Sequence, residues 1–308
     1  GAAAPKPEKG LIWPVTNPAT QERSTTDTNK RIWAAAAHGF TSDPARANKE
    51  AARITKLRDW RWGYPSVVQT HVEMACVSEV DAVSMARAGL AEARRAFVFS
   101  RTGETTISLD EALAQPLSVK FYTGVFEGDL RRGGAAPSNK KKLTIPYKSN
   151  VLSGSELEAT LDRLADKGTI ERSCAEAIKL VSRRGDEWLD LSGDYFLMLG
   201  ASSAMGPFDS LIEHGATVVA IDLPREKIWK GLLEKVKKSS GRIIFPLSKP
   251  QTELPTLDDL AKHAGCDMLQ QTPELVEWCA SVPTDNQPLT VGNFTYLDGA
   301  LHVQLAMA

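Results

Sequence analysis

The stretch LGASSAMG, residues 199–206, places Gly200 and Gly206 at the ends of a short polar turn that follows the apolar run YFLM. Where a strand ends and a helix begins, glycine lets the backbone approach a phosphate closely, and the amides of the turn can donate to its oxygens. Ser202, Ser203, Ala204 and Met205 line the turn between them. A second apolar run, TVVAIDLPR, then leads into Asp222, Leu223 and Arg225. A carboxylate at the end of that run, about twenty residues after the glycines, can accept hydrogen bonds from both hydroxyls of an adenosine ribose. Such chemistry favours NAD over NADP, whose 2′-phosphate Asp222 would repel, although Arg225 softens the preference. The alternative role for Asp222 is to cap the helix that PREKIWKGL begins.

These residues need elements to hold them, and the pattern around them supplies candidates. YFLMLG, a helix from about Met205 to His214, TVVAIDL, a helix from about Arg225 to Lys238, and RIIFPL alternate as two consecutive strand–helix–strand units. The strands are continuous apolar runs, as expected of parallel strands covered on both faces. A helix over TLDDLAKHAG, a strand at CDMLQ, a helix over PELVEWCAS and a final strand at LTVGNFTYL extend the series. The expected fold class is α/β, a doubly wound parallel Rossmann-like sheet in the C-terminal half.

Upstream, Ser155 with Glu158 and Ser173 with Glu176 have capping-box spacing, predicting two helices closed by Gly168 and Gly185. The segment 131–150, with two glycines, two prolines and a lysine run, has the composition of a connector. It divides the chain into residues 1–150, a mainly helical and partly extended region, and residues 151–308, a helical hairpin with the nucleotide-type sheet. The N-terminal region begins as an extended arm, with helices expected from about Asp43, from Ser78 to Ala96 and over SLDEALAQ, and strands at FVFS and in LSVKFYTGVFEG. Trp60, Trp62 and Tyr64 form an aromatic cluster suited to a core corner or to a partner surface.

Composition narrows the classes. A formal charge of −1 and a pI near 6.6 argue against a nucleic-acid partner. Cys76, Cys174, Cys266 and Cys279 are widely spaced, with no pattern for zinc, and read as reduced thiols. No apolar run is long enough for a transmembrane segment. His38, His71, His214, His263 and His302 are scattered, with no nucleophile and acid beside any of them in sequence. The strip RRGDEWLDLSGDYF reads as a polar connection with Trp188 and Leu191 tucked into the core. The start GAAAPKPEKG reads as a tag remnant or as a mature end left by a removed targeting peptide, which leans the expected location to an organelle, plastid or mitochondrion, over the cytoplasm.

LGASSAMG followed by HGATVVAIDLPREK resembles the opening of the short-chain dehydrogenases/reductases, whose glycine motif has the form TGxxxGxG. Gly200 matches the first glycine and Gly206 the last, with Ala204 in place of the middle one and Leu199 in place of the threonine. The resemblance covers roughly residues 194–247 and implies a bound NAD or NADP. The Tyr and Lys that do the family's proton chemistry have no counterpart after Gly206, since Tyr296 is followed by LDGA, and Asp209 adds negative charge near the expected pyrophosphate. Two readings follow. One is a dinucleotide-binding domain whose catalytic residues lie elsewhere in a longer chain; the other is a pseudoenzyme, an accessory or scaffold subunit of a large organellar complex, its cradle empty or purely structural, gripping its partners through the arm and Trp60, Trp62 and Tyr64.

Overall fold

The computed structural model describes residues 8–133 and 142–308, a mixed α/β chain that divides into two compact units. The first comprises the chain to Ser118 with Met268–Pro273 and Leu297–Ala308; the second comprises Val119–Asp267 and Glu274–Tyr296. The division thus falls at Ser118 and not near residue 150. Of the expected connector, residues 134–141 lie outside the described residues.

In the first unit, β1 (Gly10–Ile12) is followed by four helices, α1 (Thr25–His38), α2 (Pro44–Thr55), α3 (Trp60–Ala75) and α4 (Glu79–Ala96). Each starts at a side-chain cap: Ser24, Asp43, Asp59 and Ser78 accept the amide three residues on. Helix α1 occupies sequence expected to be an extended arm. Phe40, Ile54, Val67, Met74 and Met85 form the core of the bundle. Asp81 is fully buried and accepts from the amides and hydroxyls of Thr41 and Ser42 and from the Ser78 hydroxyl, clasping the α1–α2 connection to the start of α4. The hydroxyls of Ser42 and Ser78 hold its carboxyl well below the usual carboxylate range. β2 (Val98–Ser100) pairs antiparallel with β1 and with β3 (Ile107–Ser108), and α5 (Leu109–Ala114) opens with a Ser108–Glu111 capping box.

The second unit begins with β4 (Tyr122–Glu127) and α6 (Asp129–Arg132), then a hairpin of β5 (Ile145–Tyr147) and β6 (Asn150–Leu152). Helices α7 (Gly154–Asp166) and α8 (Arg172–Arg183) come next, starting before the expected boxes. The would-be box residues are engaged elsewhere: Glu158 receives the Arg183 guanidinium (2.6 Å) and Glu176 the Lys179 ammonium (3.0 Å). Gly185 opens a short helix, α9 (Gly185–Trp188), and closes none. Trp188 is not in the core; it stays partly exposed under the Arg184 guanidinium, while Leu191 does pack against the core.

The central sheet has the order β10-β7-β8-β9-β4, built from β7 (Tyr195–Leu199), β8 (Thr217–Ile221), β9 (Arg242–Leu247) and β10 (Leu289–Asn293). β7 to β10 run parallel, and β4, from sequence expected to belong to the N-terminal half, adds an antiparallel edge on β9. β8 is buried along its whole length, which accounts for its unbroken apolar sequence. Between the strands lie α10 (Phe208–Glu213), α11 (Glu226–Lys237), α12 (Leu257–His263) and α13 (Thr272–Ser281). The core of this unit gathers Met198, Phe208, Ile212, Val218, Trp229, Leu233, Ile243 and Phe245. The expected strand at 266–270 does not form: Gly265 sits at φ +99°, the Cys266 amide donates to the Asp222 carbonyl (2.9 Å), and the residues after it form a turn. Finally α14 (Ala300–Met307) belongs to the first unit, where the Gln304 side-chain carboxamide donates through Nε2 to the Leu11 carbonyl (3.2 Å).

Candidate functional site

β7 and β8 end side by side, Leu199 opposite Ile221, and this register brings the glycine turn against Asp222. The Ile221 carbonyl accepts both the Gly200 and Ala201 amides (2.9 and 3.1 Å). Gly200 holds φ +82°, the left-handed region that favours glycine, and a Cβ built on it would stand a tight 3.1 Å from the Phe294 carbonyl carbon. The Ser203 amide donates to the Gly200 carbonyl and the Gly206 amide to the Ser203 carbonyl, both at 3.0 Å, while the Met205 amide leans on the Ser203 hydroxyl (3.4 Å). Among the described residues of the turn from Gly200 to Gly206, the Ala204 amide alone has no acceptor inside the chain. Ser202, Ala204 and Met205 are exposed, Met205 at 87%.

Asp222 is buried and ties the site together. Its Oδ2 accepts the Ser202 amide (2.7 Å) and its Oδ1 the Leu223 amide (2.8 Å). It does not cap α11, whose N-cap is Arg225. Arg225 and Leu223 lie on the surface, joined by the Arg225 amide donating to the Leu223 carbonyl (2.7 Å). Behind them the fully buried Trp229 donates its indole N–H to the same carbonyl (3.0 Å). The expected helix from Met205 is shorter, starting at Phe208 after Pro207. The Asp209 carboxylate in its first turn pairs at the surface with Lys235 of α11 (2.8 Å).

All nine residues singled out in sequence thus fall within one region around the ends of β7 and β8, but those of the β10 side were not read. Phe294 donates its amide to the Leu199 carbonyl (2.8 Å), and its ring lies 3.4 Å from where a Gly206 Cβ would be. The only hint in sequence is the small Gly292, over which that ring folds.

The structure also brings one histidine beside a hydroxyl. Ser248, just past β9, contacts His263 Nδ1 through its Oγ (3.1 Å), and its amide donates to the His263 carbonyl (2.9 Å). No carboxylate orients that ring among the described residues, so the pair ties the end of β9 to the end of α12 and makes no triad. Cys266 and Cys279 are shielded thiols; burial pushes Cys279 up to about 11 and Cys266 further, so neither is poised as a nucleophile. Among the described residues, no group of three His, Cys, Asp or Glu could hold a metal, and no helix is long and apolar enough to cross a membrane.

Set against protein-family models, curated proteins and solved structures, the chain matches none of them.

Proposed function

We propose that the second unit is a Rossmann-type nucleotide-binding unit and that this chain binds NAD without itself transferring hydride. The observation that carries the reading is the strand order. Taken from β7, the chain steps outward through β8 and β9 and then returns to place β10 on the other side of β7. Ligands of doubly wound sheets bind at such a reversal, beyond the carboxyl ends of the strands. The glycine turn stands there, with Asp222 at the end of the neighbouring strand.

The residues fit the group. Each carboxylate oxygen of Asp222 already accepts one amide and keeps lone-pair capacity for a ribose hydroxyl. The Ala204 amide and the exposed hydroxyl of Ser202 offer donors to a phosphate. A bound nicotinamide would supply hydride chemistry, but no Tyr–Lys pair follows the turn in this sequence. A thermal shift tests the reading: at 100 times its Kd, NAD stabilises the fold by roughly 2.7 kcal/mol. An unchanged melting temperature at millimolar NAD sinks it.

A scaffold role is favoured by a different observation. On α3, Trp62 is 78% exposed and Tyr64 46%, whereas Trp60 packs against the helical core. Exposed aromatics of this kind suit a protein partner, such as a subunit of an organellar assembly. Co-purification that survives in the wild type and fails in Trp62→Ala is the outcome this reading requires.

A further inference from the structure

The loops that follow β7 and β10 are in contact. Beyond the last pair of the ladder, Asn293 with Leu199, the Phe294 amide still donates to the Leu199 carbonyl (2.8 Å). A Cβ on Gly200 would meet the Phe294 carbonyl carbon and the Thr295 nitrogen, both at 3.1 Å. At the other end of the turn, the Phe294 ring closes on Gly206. Asn293 fixes this arrangement, its carboxamide oxygen accepting the Thr295 amide (3.1 Å) and hydroxyl (2.6 Å).

A dinucleotide spans the reversal, one nucleotide half on each side of the first strand. Admitting a flat ring between two walls takes a gap of about 7 Å, twice a van der Waals contact. On the β10 side the walls already touch. On the β8 side Ser202, Ala204, Met205, Leu223 and Arg225 are exposed, so that flank is open.

We infer that the site recognises the adenosine diphosphate end of its ligand and houses nothing beyond it. The inference rests on the nucleotide reading of the same turn. ADP, ADP-ribose and NAD are then held alike, the nicotinamide half projecting into solvent and contributing no affinity. Phe294, Asn293 and Gly292 set that limit.

Calorimetry of the full chain with ADP, ADP-ribose, NAD and nicotinamide mononucleotide tests it, beside the fluorescence of NADH on titration with protein. Kd values for the first three within about threefold of one another, no heat with the mononucleotide, and unenhanced NADH emission are expected. NAD binding more than about tenfold tighter than ADP, or heat with nicotinamide mononucleotide, overturns the inference and leaves the nucleotide reading in place. No heat from any of the four at about 1 mM overturns the nucleotide reading and the inference with it.

Discussion

The Asp222 carboxylate accepts the Ser202 amide at 2.7 Å, so the residue expected to grip a ribose also holds the glycine turn in shape. Its second oxygen holds the Leu223 amide. Removing the side chain therefore leaves two backbone donors without their acceptor. Asp222→Ala is expected to cost about 1.5–3 kcal/mol in denaturant unfolding, the range for hydrogen bonds to a charged group. A cost below about 0.5 kcal/mol, the level of an ordinary surface change, would show that the turn stands without the clasp.

Asp81 makes a pH prediction for the first unit. Its carboxyl is held below its ordinary value by the Ser42 and Ser78 hydroxyls, so the folded state binds its proton less readily than the unfolded chain does. The stabilisation is present above the unfolded value of about 3.9 and falls away as the pH drops below it. Melting curves from pH 7 to pH 2 are expected to show Asp81→Asn less stable at neutral pH and less acid-sensitive than wild type. Parallel curves would refute the clasp.

Trp229 lies fully buried 5.2 Å from the Phe245 ring and bonded to the Leu223 carbonyl. Trp229→Ala should cost about 3–5 kcal/mol, as large-to-small changes of buried aromatics do. Trp229→Phe keeps most of the packing and loses the indole hydrogen bond, so it should fall well short of that. Equal losses for the two would place the stabilisation in the hydrogen bond alone.

At the amino end of the sheet, Tyr195 lies between Asp285 and Arg242 through its hydroxyl, and Arg242 also reaches Thr217 (3.2 Å). Burial, then the bond to Asp285, raises the phenol above its usual value. A raised value means stability that is intact below about pH 10 and lost as the phenol ionises above it. Tyr195→Phe should lose about 1 kcal/mol at pH 7 and flatten the alkaline limb of the stability curve. An unchanged alkaline limb would count against the network.

How far these relationships could be read in advance depended on their range. β7, β8 and β9 were legible because burial on both faces leaves unbroken apolar runs, and Gly200 because a sharp strand-to-helix turn needs it. α1 gives little signal although Ser24 and Asp27 stand at capping spacing, because Thr25, Thr26, Thr28 and Asn29 give weak helix propensity to its first turns. Ser155–Glu158 had the spacing of a box, yet Glu158 is drawn to Arg183 on the next helix, a partner that spacing cannot reveal. CDMLQ is apolar enough for a strand, but Gly265 and the Cys266 bond to Asp222 turn it into a loop. That β4 pairs with β9, or that Phe294 closes on Gly206, is decided by contacts far apart in the chain, which local pattern does not encode.

Whether the turn from Gly200 to Gly206, backed by Asp222, binds a nucleotide is decided by isothermal calorimetry of the purified chain with NAD, NADH, NADP and NADPH. Micromolar binding is expected, tighter for NAD and NADH than for the phosphorylated pair, and lost in Gly200→Val once circular dichroism has shown that variant to be folded; the Asp222→Asn variant is expected to reduce the preference. No heat with any of the four ligands would rule out a nucleotide site at this turn.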